Sequence, residues 1–186
     1  DSHGHGIGDR VIQEVARKLQ DSVRGTDLLC RWGGEEFCVV VGGLGAAESA
    51  EFAERLRMRI ERECGAAVRE VAGLHVTASF GVEMLSRQID SAALLIEHAD
   101  QALYRAKRGG RNRVAMPAAE GARSSVPPEH VDRASGCLND SGYVAALRSL
   151  RETARAEDRV LGCIMVGLDH HQQLQERHGA AALHAA

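Results

Sequence analysis

The sequence predicts an α/β fold in which a single sheet carries packed helices. Three observations predict it. Apolar residues recur at helical spacing in three separate segments. Short apolar runs rich in Val and Phe lie between those segments, and a Gly-Gly pair joins two such runs as a hairpin. The resulting order is helix, strand, strand, helix, strand, helix, strand, an arrangement that buries helix stripes against one sheet.

Each element has its own signal. Over residues 8–23, Val11, Ile12, Val15, Ala16, Leu19 and Val23 form one helix face. Asp9 stands in the first turn, where the helix dipole favours an acid. Leu28, Leu29 and Cys30 read as one strand, and residues 37–41 as its hairpin partner. Residues 46–63 form a second amphipathic helix through Ala50, Ala53, Leu56 and Ile60. Residues 74–82 alternate and read as a strand. Ser91 caps a third helix, with Leu94, Leu95, Ala99, Ala102, Leu103 and Ala106 inward. Residues 113–116 read as a short closing strand. Residues 117–136, with Pro127, Pro128, Ser124 and Ser125, have linker composition. Beyond them, Tyr143, Ala146, Leu147, Leu150 and Ala154 suggest another helix, and residues 161–168 another strand.

Composition narrows the function classes. Hydrophobic residues make up 44% of the 186, enough for a packed core, and the net charge of −3 gives no general drive towards nucleic acid or anionic membrane. Aromatic residues are only 3%, which argues against base-stacking binders. No apolar run approaches membrane-spanning length; the run 160–166 is interrupted by Gly162 and suits a buried strand. Cys30, Cys38, Cys64, Cys137 and Cys163 show no CxxC spacing and read as reduced, buried thiols of a cytosolic protein.

The chemistry concentrates at Gly33, Gly34, Glu35 and Glu36. Glycines allow a tight turn and close approach of backbone to a ligand, and an adjacent carboxylate can hold a divalent cation on a phosphate. Gly and acidic residues also populate ordinary solvated turns, so the flanking motifs decide. Those motifs resemble the GGDEF family, the diguanylate cyclases, over residues 1–116. The signature loop stands as Gly33-Gly34-Glu35-Glu36-Phe37. Upstream, Gly4-His5-Gly6-Ile7-Gly8-Asp9 is similar to the family's GH-x-x-GD. Downstream, residues 99–107 are followed by Gly110-Arg111-Asn112, also characteristic.

The resemblance implies a fold related to nucleotide cyclases and polymerase palms. It implies condensation of two GTP into cyclic di-GMP with release of two pyrophosphates, by two domains facing each other as a homodimer. It implies Mg²⁺ or Mn²⁺ as cofactor, with Glu35 as metal ligand and proton acceptor and Glu36 as a second catalytic acid. Asp9 matches the acceptor for guanine N1–H and N2–H; as a helix-dipole complement it would read the same. Gly33 and Gly34 form the substrate loop. Lys107 and Arg111 match the cations on the terminal phosphates, and would share a face if the helix continued; by spacing alone they read equally as basic residues near a helix end. His3 and His5 have HxH spacing, but Gly4 and Gly6 make this an entry loop. Arg24 and Asp27 have the RxxD spacing of the family's product-inhibition site, with Arg55 as its accessory arginine. Their blander reading is a charged turn.

In the family, a strand ending in Asp and then F-K-x-I-N precedes the position matching Asp1, and supplies the other metal carboxylate. Residues 137–186 resemble that piece in degenerate form, as the start of a second GGDEF-like domain. Gly167 stands at the metal Asp position, Gln172 at that of the Lys and Gln175 at that of the Asn, while Asp169 survives. An empty central strand is costly, so docking of this segment back onto the first domain is the expectation. The rival readings are a non-catalytic cyclic di-GMP-binding module and a dimerisation module.

Overall fold

The computed structural model describes residues 6–85, 89, 91–116, 143, 146–148, 150–152, 154, 160–171 and 173. The readings made for residues 117–136, and for His3, His5, Cys137, Gln172 and Gln175, lie outside the described residues.

Helix α1 (Ile7–Gln20) leads into the hairpin β1 (Leu28–Arg31) and β2 (Glu36–Gly42). Helix α2 (Ala46–Ala67), strand β3 (Ala78–Met84), helix α3 (Ala92–Arg108), strand β4 (Val114–Ala115) and strand β5 (Leu161–Leu168) follow. Among the described residues the strands form one sheet in the order β1-β2-β5-β3-β4. Strand β5, last in sequence, is central in space. It pairs antiparallel with β2 on one side and with β3 on the other, and only β3 and β4 pair in parallel.

Period-two alternation sorts the strand side chains onto two cores. Phe37, Val39, Val41, Phe80, Val82, Ile164 and Val166 face α1 and α2, meeting Val11, Val15, Leu19, Leu56 and Ile60. Cys38, Val40, Leu161, Cys163 and Met165 face the other way, towards α3 and the helical residues Tyr143 and Leu147. Every residue of β5 is buried, as expected of a strand with neighbours on both edges and helices on both faces. On the second core, Tyr143 Oη lies 2.9 Å from Cys38 Sγ, which lies 3.3 Å from Cys163 Sγ. Burial holds the Tyr143 hydroxyl well above its ordinary range, so it stays protonated.

Helix α1 ends at Gln20 rather than at residue 23, with Asp21 as its C-cap, and two further elements differ from their sequence expectation by more than a residue. Strand β3 starts at Ala78 rather than at 74, because its ladder with β5 begins at the pair Ala78–Leu168 and residues 74–77 have no strand partner among the described residues. Helix α2 runs on to Ala67, past the expected end at 63, with Cys64 and Gly65 buried in the added turn. At its start, the Glu48 carboxylate accepts the Gly45 N–H at 2.7 Å. The Ser91 cap forms as expected, its hydroxyl accepting the Leu94 N–H at 3.1 Å.

Candidate active site

The hairpin tip is closed by backbone groups: Trp32 N–H and Gly33 N–H both donate to the Glu36 carbonyl, at 2.7 and 3.2 Å. Arg31 Nη2 donates to the Gly34 carbonyl at 2.6 Å. Neither Gly33 nor Gly34 uses a left-handed backbone. What they contribute is the absent Cβ, since a methyl built on Gly34 meets no atom of the chain within 4 Å. The tip therefore presents bare backbone to open space, with carboxylates immediately after it.

At the same end of the sheet, Glu36, Gly167 and Ser79 lie opposite one another on β2, β5 and β3. Residues in register share a face, and this face is covered by the last turns of α3. Lys107 crosses the row and places Nζ 2.7 Å from Glu36 Oε1. One turn after β5, His170 takes a left-handed conformation with φ 60°. His171 then lies with Nδ1 3.2 Å from Glu35 Oε2. Its Nε2 is buried with no hydrogen-bond partner among the described residues. Asp169 accepts from Thr77 Oγ1 at 2.9 Å, Ser79 Oγ at 2.7 Å and the Asn112 N–H at 3.0 Å. Partial burial, reinforced by the Glu36 charge and opposed by Lys107, raises the Asp100 carboxyl above its ordinary range.

The residues expected from sequence thus divide into groups. Glu35, Glu36, Gly33, Gly34 and Lys107 come together at the hairpin end. Asp9 sits half-buried in the first turn of α1. Arg111 does not share a face with Lys107: α3 ends at Arg108, and Gly110 (φ 115°) and Arg111 (φ 60°) reverse the chain. Arg24, Asp27 and Arg55 meet elsewhere, in a cleft of about 530 Å³ that Phe52, Arg59 and Arg62 also line. There Asp27 Oδ2 accepts the Arg24 N–H at 2.8 Å, and the Arg55 guanidinium lies 5.4 Å from the Phe52 ring centre. Sequence reasoning assigned no role to His171 or Asp100. The histidine follows the surviving Asp169 by two residues, but its approach to Glu35 depends on where β5 docks.

Residues 1–113 match the family described as "Diguanylate cyclase, GGDEF domain". The chain belongs to the GGDEF family. It is 40% identical over 119 residues to the response regulator PleD of Caulobacter vibrioides, covering 64% of this chain and 26% of the relative. It is 37% identical over 116 residues to diguanylate cyclase A of Treponema denticola, covering 62% and 31%. It is 39% identical over 117 residues to diguanylate cyclase DosC of Escherichia coli, covering 62% and 25%. The chain therefore spans between a quarter and a third of the length of these relatives. The single mixed sheet with packed helices is the α/β fold expected of a GGDEF domain. Among the described residues, no helix is long and apolar enough to cross a membrane.

GGDEF cyclases are generally dependent on a divalent metal, and the residues here can be tested against one. Mg²⁺ requires anionic oxygens in near-octahedral array. Glu35 faces His171, Glu36 faces Lys107, Gly167 offers no oxygen, and Asp169 is engaged by its three donors. Among the described residues, no group of three or more His, Cys, Asp and Glu side chains converges as a metal site. In this arrangement the GGDEF hairpin does not fit the ion.

Proposed function

We propose that the protein containing this chain is a diguanylate cyclase that condenses two GTP into cyclic di-GMP, releasing two pyrophosphates from paired domains. The observation carrying this reading is the convergence of Glu35, Glu36 and Lys107 beside the bare backbone of Gly33 and Gly34. A nucleotide laid against that backbone meets two acids able to act at a 3′-hydroxyl and an ammonium able to meet a phosphate. Asp9 accepts from guanine, Lys107 and Arg111 bind the terminal phosphates, and Glu35 is the catalytic acid. Incubation with GTP and Mg²⁺, followed by chromatography for cyclic di-GMP, tests it. Cyclic di-GMP formed by the wild-type chain, however slowly, and absent with Glu35→Ala supports the assignment; equal measurable product from both refutes it.

A second reading is supported by the separate cleft. Arg24, Asp27 and Arg55 combine guanidinium groups with an acceptor, which suits the guanine edges and phosphates of cyclic di-GMP. The cleft then serves product feedback, or makes the chain a cyclic di-GMP-binding module where catalysis is absent. Calorimetric titration with cyclic di-GMP should show binding that Arg24→Ala weakens at least about tenfold, the loss of one charge-assisted pair. Undiminished binding by that variant removes the assignment.

A further inference from the structure

Gly167 is a gap in a row of side chains. Its neighbours in register are Glu36 on β2 and Ser79 on β3, and all three positions face α3. Lys107 occupies the gap. A Cβ on residue 167 would lie 2.7 Å from Lys107 Cε and 2.8 Å from its Nζ, too close for both to stay. Through this gap Nζ reaches Glu36 Oε1 at 2.7 Å. The same segment brings His171 to within 3.2 Å of Glu35. It is locked by Asp169, which draws donors from β3 and from the turn after α3.

We propose that residues 161–171 are an autoinhibitory segment. Docked as the central strand, it lets Lys107 neutralise Glu36, sets His171 against Glu35, and keeps a divalent cation off the hairpin. The inference rests on reading Glu35 and Glu36 as the catalytic acids. Its physical basis is competition for the same oxygens. A hard dication held at Glu35 is favoured by a free carboxylate at Glu36 beside it, and an ammonium in contact with Glu36 both occupies an oxygen and repels a second positive charge. Gly167 is the determinant, because any side chain there pushes the flexible end of Lys107 away from Glu36. The segment thereby converts a hairpin suited to cations into an ion-paired one without changing either acid.

Titration of the full chain with Mn²⁺, read by the resonance of free Mn²⁺, tests the proposal without requiring turnover. The wild type should show no saturable site into the millimolar range. Lys107→Met keeps the apolar stem and β5 while freeing Glu36, and should tighten Mn²⁺ binding about tenfold. Gly167→Asp combined with Lys107→Met adds a carboxylate to the row and should create a saturable site that Glu36→Gln abolishes. Equal Mn²⁺ binding by the wild type and Lys107→Met overturns the proposal, as does a saturable site in the wild type. Because no GTP enters this assay, its failure is distinct from failure of the cyclase reading, which rests on Glu35→Ala turnover.

Discussion

Asp169 Oδ2 accepts the backbone N–H of Asn112 at 3.0 Å, joining the end of β5 to the reversed turn after α3. The Asn112 side chain carries the link onward, accepting from Arg57 Nη1 at 2.6 Å and donating to Glu61 Oε1 at 2.7 Å on α2. One buried carboxylate thus connects a strand from the end of the described chain to both layers of helices.

Removing that carboxylate should be costly. Asp169→Ala leaves the Thr77 and Ser79 hydroxyls and the Asn112 N–H without their acceptor in a site only 4% exposed. The expected loss is about 3 kcal/mol, since unpaired buried donors lose more than a hydrogen bond contributes. Urea denaturation of the wild type and the variant measures it; a loss within error of zero would show that water replaces the carboxylate.

Two glycines should respond in opposite ways to a methyl group. A Cβ on Gly81 would lie 2.1 Å from the Ala99 carbonyl and 2.2 Å from the Leu103 nitrogen, both backbone atoms that cannot step aside. Gly81→Ala should therefore separate α3 from β3 and cost at least about 3 kcal/mol. Gly34→Ala meets nothing and should stay within about 0.5 kcal/mol of the wild type. Thermal unfolding of the two variants side by side decides this.

The central position of β5 should be visible in solution. Amides of residues 162–167, paired on both edges, should exchange among the slowest in the chain, and far more slowly than those of the edge strand β1. Tyr143→Ala should cost about 4 kcal/mol, because its fully buried ring packs against Trp32 at a centroid distance of 6.0 Å. Fast exchange over residues 162–167 would mean that the strand leaves the sheet readily.

Alkaline pH should weaken the fold through Cys64. Burial pushes its thiol up to about 12 from an ordinary 9.0. The folded thiol keeps a proton that the unfolded thiol releases, so this contribution is complete below the unfolded value and is lost as pH rises from about 9 towards about 12. The slope is at most about 1.4 kcal/mol per pH unit. Urea midpoints from pH 8 to 10.5 should fall more steeply for the wild type than for Cys64→Ala. The native thiol should also resist alkylation at pH 8.

Much of this was legible in the residues. The stripe Val11, Val15, Leu19 pointed inward because helical spacing leaves one face to bury. Ser91 capped α3 through its own hydroxyl, a local interaction that needs no tertiary context. The start of β3 was not legible, since Leu74 and Val76 alternate as well as Ala78 and Phe80 do. Whether an alternating run becomes strand depends on a partner, and the ladder with β5 begins only at Ala78. The relation of Lys107 to Arg111 was likewise beyond spacing, because Gly110 and Arg111 reverse the chain one turn too early.

By itself, the sequence determined the family, the inward face of each helix and the acids at the hairpin tip. All of these follow from local spacing and residue type. The tertiary structure decided which strand lies between β2 and β3, and therefore what the acids touch. Lys107 is 71 residues from Glu36 in sequence, and His171 approaches Glu35 only because β5 ends beside the hairpin. Contacts of that range depend on which edges pair in the folded sheet, and no local pattern of residues encodes the pairing.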